Sequence, residues 1–214
     1  MRLRGIELSP NYATGHHWYA LHLWATGRRS EGVEELRLAN QLDPNSPVIG
    51  ALLAEALGTA DRTQEAFEVA ERFARQYPDN WRVQAALASL NFRAGKYEDT
   101  LAAAERMSGA AGNKNDAVNS LFKAMVLAKR GQTEEARTLI EDGIAGTEVS
   151  KRQPVFIAQA YVVLGDRDRA IEWLTKAADT HDIFAWRIKV FGEFDAMESD
   201  PRYQALLRRM NFPK

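Results

Sequence analysis

Pro10, Pro44 and Pro78 stand 34 residues apart, each beside an Asn or Asp, in SPNY, DPNS and YPDN. Three further series share that spacing. Ala20, Ala54 and Ala88 are 34 apart, Ala124 follows after 36, and Ala158 after another 34. Gly32, Ala66, Thr100, Ala136 and Ala170 take the same steps, as do Gly27, Asp61, Gly95, Gly131 and Gly165. One period and one two-residue insertion account for all of them. A chain with such a period is built from repeated supersecondary units that must stack to bury their apolar faces.

Each unit carries two helical patterns. Within Trp81–Phe92 the apolar residues Val83, Leu87 and Leu90 recur at helical spacing, and a second run spans about Tyr97 to Met107. The glycine between them suits the left-handed residue that ends a helix. Proline fits between units because it cannot continue the preceding helix but tolerates the turn before the next. The small residues mark helix crossings with room for little more than a methyl group.

A 34-residue helix-turn-helix resembles the tetratricopeptide repeat (TPR), with its pattern W-x2-L-G-x2-Y…A-x3-F…P. The resemblance covers nearly the whole chain: residues 11–44, 45–78, 79–114, 115–148 and 149–182 form five repeats. It implies an all-α, right-handed α-α superhelix, a TPR-like solenoid. The position after the pattern's Leu is alanine in all five repeats. The Trp position departs, holding His16, Gly50, Gln84, Ser120 and Pro154, and Lys123 stands where Leu is expected. The insertion near SGAAGNKN makes the third-to-fourth junction the least regular, a place for a change in curvature. Residues 1–10 resemble the tail of a preceding repeat helix, as though the chain began partway through a repeat. Residues 183–214 leave the period. IFAWRIKVF and PRYQALLRRM are expected to form two capping helices separated by GEFDAMESD, with Asp200 capping the last and Pro201 at its first position. The pairing of SPNYATGHHWYALHL with FDAMESDPRYQALLRRM also looks like the C-terminal TPR region of bacterial multidomain signalling proteins.

In such a stack the first helix of each pair lines the inner, concave face. One helical stripe there carries His17 and Trp24 in the first repeat, Glu55 in the second, and Arg82, Phe92 and Arg93 in the third. Beyond the insertion the stripe turns mostly apolar, and its polar members include Lys129 and Gln159. These eight are the candidate partner-binding residues. Two outcomes are open for the groove. By default the C-terminal segment folds back over it and makes it core. Alternatively it receives an amphipathic or extended peptide, with Trp24 and Phe92 as anchors. Some TPR proteins hold a terminal carboxylate with Lys, Asn and Arg on these positions; the first repeat has His17 and Leu21 in place of Lys and Asn, and the third keeps Arg93 but has Ser89, which argues against a clamp of that type.

Composition removes other chemistries. With no cysteine there is no disulfide framework, thiolate zinc site or cysteine nucleophile. A formal charge of -1 argues against a general nucleic-acid binder, and the basic face of Arg202, Arg208 and Arg209 is expected to be solvated. His16, His17 and His22 are clustered, but 17 to 22 does not align two metal ligands on a helix face. Glu34-Glu35 and Glu134-Glu135 are expected near helix N-termini. No phosphate-binding glycine loop or G-x-S-x-G is present. Trp18, Trp173 and Trp186 are expected between helices. Neither a signal peptide nor an apolar run of about 20 residues is found. The expectation is a cytoplasmic, non-catalytic scaffold without cofactor or metal, binding a protein or peptide, and neither nucleic acid nor membrane. A structural or homodimerisation module with an internally filled groove is the alternative.

Overall fold

A computed structural model of the chain describes residues 4–109, 116–145, 154–182 and 184–212. A short helix α1 (Arg4–Leu8) precedes five antiparallel pairs. These are α2 (Ala13–Ala25) with α3 (Arg29–Leu42), α4 (Pro47–Thr59) with α5 (Thr63–Gln76), and α6 (Trp81–Arg93) with α7 (Tyr97–Gly109). Then follow α8 (Asp116–Lys129) with α9 (Thr133–Ala145), and α10 (Pro154–Leu164) with α11 (Arg167–Asp179). Two 3-10 turns, Ala185–Lys189 and Gly192–Met197, lead into α12 (Pro201–Arg209). Each second helix packs on the first helix of the next pair, and α4 also packs on α6 and α8 on α10, giving an all-α superhelix with a C-terminal cap.

The turn series has a common geometry. Gly27, Asp61, Gly95, Gly131 and Gly165 all have positive φ, between 59° and 87°. After each, an amide reaches back five residues: Arg28 to the Leu23 carbonyl, Arg62 to Leu57, Lys96 to Asn91, Gln132 to Leu127 and Asp166 to Tyr161. This is the Schellman closure that satisfies a helix's last carbonyls. Ser46, Asn80, Asp166 and Asp200 cap the starts of α4, α6, α11 and α12 with side-chain oxygens. The alanines of the second series are fully buried, as are Ala66, Thr100, Ala136 and Ala170. Gly32 is smaller still because the Trp24 indole occupies its side-chain space: a Cβ there would meet the ring at 2.6 Å.

The missing Trp of the pattern is replaced in more than one way. At Gly50 the Phe73 ring from the following helix fills the space. Gln84 Nε2 donates to the Pro78 carbonyl at 2.8 Å. His16 Nε2 lies 2.8 Å from the Pro10 carbonyl, and its Nδ1 2.6 Å from Glu35 Oε2. So two polar residues six positions after a boundary proline tie the turn to the helix. Lys123, in the Leu position, points to Glu105 at 3.6 Å.

Several expectations need correction. IFAWRIKVF does not form an α-helix: Ala185–Lys189 is a 3-10 turn, and the GEFDAM stretch expected as a separator is another. Glu34-Glu35 lie one turn into α3, whereas Glu134-Glu135 do open α9. Trp18 is not between helices but 60% exposed. Residues 110–115, which hold most of the insertion, lie outside the described residues.

Candidate binding pocket

The C-terminal segment folds back into the groove. Trp186 packs on Trp24 with ring centroids 5.7 Å apart. Arg187 Nη1 lies 2.8 Å from Glu55 Oε2, both side chains almost fully buried. The Arg187 guanidinium also lies over the rings of Trp186, Phe156, Phe191 and Phe184. Arg29 Nη2, at the start of α3, donates to the Lys189 carbonyl at 2.6 Å. Asp182 pins the other end, accepting from the amides of Val155 at 3.2 Å and Phe184 at 2.9 Å. Burial pushes its carboxyl pKa up. Val190 joins the apolar cluster of α2–α6, while Ile188, Phe191, Phe194 and Met197 join that of the later helices. The cap therefore rivets the two cores together across the concave face.

What it leaves is a cavity of about 520 Å³. Its walls are His17, Trp18 and Leu21 of α2, Val48, Ala51, Leu52 and Glu55 of α4, and Trp81, Arg82, Ala85 and Ser89 of α6, closed by Phe156, Phe184, Trp186 and Arg187. Helical spacing explains the set: residues three and four apart on each first helix share the concave side. Farther along the groove, between Glu55, Arg93, Gln159 and Phe191, only about 20 Å³ remains.

The electrostatics are lopsided. Arg82 lies over the Trp81 ring at 4.5 Å and has no ion pair among the described residues. Burial lowers its pKa and the nearby Arg187 charge lowers it further. Burial, then the charge of Arg82, lowers the pKa of His17, leaving that imidazole neutral at pH 7. Among the described residues Glu55 is the one acid in a wall that also holds the guanidinium groups of Arg82 and Arg187. Its ion pair with Arg187 is close but poorly aligned: Glu55 Oε2 and Arg187 Nε are buried without a hydrogen bond of good geometry. Ser89, His17 and Glu55 all line the cavity, yet no hydrogen bond joins any two of them.

The eight sequence candidates divide accordingly. His17, Glu55 and Arg82 meet in the cavity, whereas Arg93 and Gln159 line the narrow gap beyond it with Glu55. Trp24 and Phe92 are 1% and 6% exposed. Trp24 lies beneath Trp186, and Phe92 packs on Tyr97. With the cap seated, neither can anchor a partner. Lys129 lies exposed at the end of α8, outside the cavity walls. Sequence reasoning did not pick out Trp18, Trp81, Phe184, Trp186 and Arg187 as wall residues. The available signal was the density of aromatic and basic residues just where the period stops.

The stacked pairs, positive-φ turns and small crossing residues define a TPR-like fold. Among solved structures, the chain is similar to TTC0263, a thermophilic TPR protein in Thermus thermophilus, with a TM-score of 0.60 at 17% identity, covering 86% of this chain and 98% of that one. It is also similar to MamA protein, with a TM-score of 0.50 at 18% identity over 82% and 95% of the two chains. YrrB, described as a TPR protein with an unusual peptide-binding site, gives 0.49 at 18% identity over 86% and 94%. No family model matches the sequence, and no curated protein matches it.

Proposed function

We propose that the chain is a non-catalytic interaction module whose protein partner docks on the open, N-terminal half of the concave face. The observation that carries this is the exposed indole of Trp18 at the mouth of an otherwise apolar cavity beside Arg82. Large aromatic and Arg side chains at the edge of a preformed concavity are what partner hot spots are made of. The superhelix and cap hold them in place, so little ordering cost accompanies docking. The filled half of the groove favours the structural alternative in part: there the cap already acts as the occupant.

A photo-crosslinking residue placed at Trp18, with the protein in cells of its source, tests this reading. The expected outcome is a discrete protein adduct that is lost on Trp81→Ala with helicity unchanged. The same adducts from a probe at Glu68, exposed on α5, would count against a specific face. A regulatory role in a larger bacterial protein, and a cytoplasmic setting, rest on the sequence resemblance; the reading frame upstream of Met1 tests the former, and fractionation the latter.

A further inference from the structure

The cap changes what the groove can hold. A peptide lying along a TPR-type groove needs a continuous trough, but here the space falls from about 520 Å³ to about 20 Å³ where Val190 and Phe191 enter. The cap thus stands across the groove on that side, and the wider space lies over α2, α4 and α6. Its volume lies in the range of small-molecule sites, roughly 300–1,000 Å³, and its walls are chiefly apolar and aromatic with a few convergent polar groups, as such sites require.

Those polar groups specify a charge. Arg82, an exposed residue in the cavity wall, carries a guanidinium with no acidic partner among the described residues and lies over the Trp81 ring. Arg187 contributes a buried Nε–H that has no acceptor of good geometry. Against these two cations stands one carboxylate, that of Glu55, itself more than nine-tenths buried and holding an oxygen without an aligned donor. His17 is neutral. The site is thus one positive charge in excess, with unused N–H donors from α6 and from the cap.

We propose that this cavity binds a small organic acid, a compact aromatic or aliphatic body bearing one carboxylate. The carboxylate accepts from Arg82 and from Arg187 Nε, and the apolar body lies among Leu21, Leu52, Trp81 and Trp186. A charge-assisted bond to a guanidinium is stronger than a neutral one, and Arg187 is largely buried, so the carboxylate decides orientation and the aromatic walls supply most of the contact. Because the walls come from α2, α4 and α6 on one side and from the cap on the other, the ligand bridges both. Binding therefore tightens the cap on the repeats and stabilises the fold in proportion to occupancy. This goes beyond the docking of a protein partner at the rim: the acid sits below Trp18, inside the molecule.

The test uses the full chain with 3-indolepropionate and decanoate, each paired with its neutral amide, followed by calorimetry and thermal melting. The expected result is saturable binding of at least one acid, at least tenfold tighter than its amide, with a rise in Tm. Arg82→Gln should abolish the preference for the acid while leaving the melting temperature of the free protein near that of the wild type, and Arg82→Lys should restore part of it. Ser89→Phe, which fills the cavity without touching the charges, should block both acid and amide. No binding of either acid at millimolar concentration overturns the proposal. So does equal affinity for acid and amide, or binding only by an acetylated, amidated Glu-Trp dipeptide, which would assign the cavity to a peptide partner instead.

Discussion

Asp61 stands in a left-handed turn with φ 59°, in a position that Gly27, Gly95, Gly131 and Gly165 fill in the other repeats. An L side chain there strains the backbone, although Asp tolerates it better than most. Glycine relieves that strain but loses more entropy on folding, so the two effects partly cancel. Asp61→Gly should therefore stabilise the protein by about 0.5 kcal/mol, a rise of about 1–2 °C in Tm for a chain of this size. Urea and thermal titrations check this; a loss of stability would mean that the Asp61 carboxylate does something the turn depends on. This position was legible in the sequence because a helix stop is local chemistry repeated at a fixed period. The roles of His16 and Gln84 were not. Their hydrogen bonds go to the backbone carbonyls of Pro10 and Pro78, which any residue could supply, and the family pattern drew attention to the Trp they lack.

The segment 184–191 shows the limit of periodic reasoning at the level of elements. That it would cover the concave face followed from the need of a terminal repeat for a lid. Its 3-10 form and its contacts did not follow. Glu55 and Arg187 are far apart in sequence and lie outside any shared period, so nothing local pairs them. The consequence is a buried ion pair that should behave asymmetrically. Removing one partner leaves a charge buried and unpaired, whereas replacing both with apolar groups removes the desolvation cost as well. Arg187→Met alone should destabilise by about 3 kcal/mol, and Glu55→Leu with Arg187→Met should recover most of that loss. Denaturant titration of the double-mutant cycle measures the coupling. If the double variant is as unstable as the single one, the stacking of Arg187 on the Phe156, Trp186 and Phe191 rings holds the cap, and the ion pair does not.

A solenoid is quasi-one-dimensional: each pair touches its neighbours, and cooperativity between distant repeats is weak unless something spans them. Here the cap does so. It touches the first repeat through Arg29 and Trp24, the second through Glu55, and the last through Phe156 and Asp182. The candidate cavity exists only because of that span, since four helices form its floor and the cap one of its walls. A chain ending at Asp182 should therefore lose more than a terminal helix. Without residues 183–214, Phe156 of α10, Trp24 of α2 and the apolar side of α11 lose their cover, and exposed patches of that kind drive association. The expected outcome is a protein of similar helicity per residue that melts lower and less cooperatively than the full chain, and that self-associates in light scattering. The organic acids should then show no preference over their amides, because the Arg187 donor and the cap wall are gone together. A truncated chain that stays monomeric, keeps its melting temperature and unfolds in one sharp transition would show that the repeats are complete without the cap. In that case the groove would have to be counted as an open surface along its whole length, with Trp24 exposed again as the sequence first placed it.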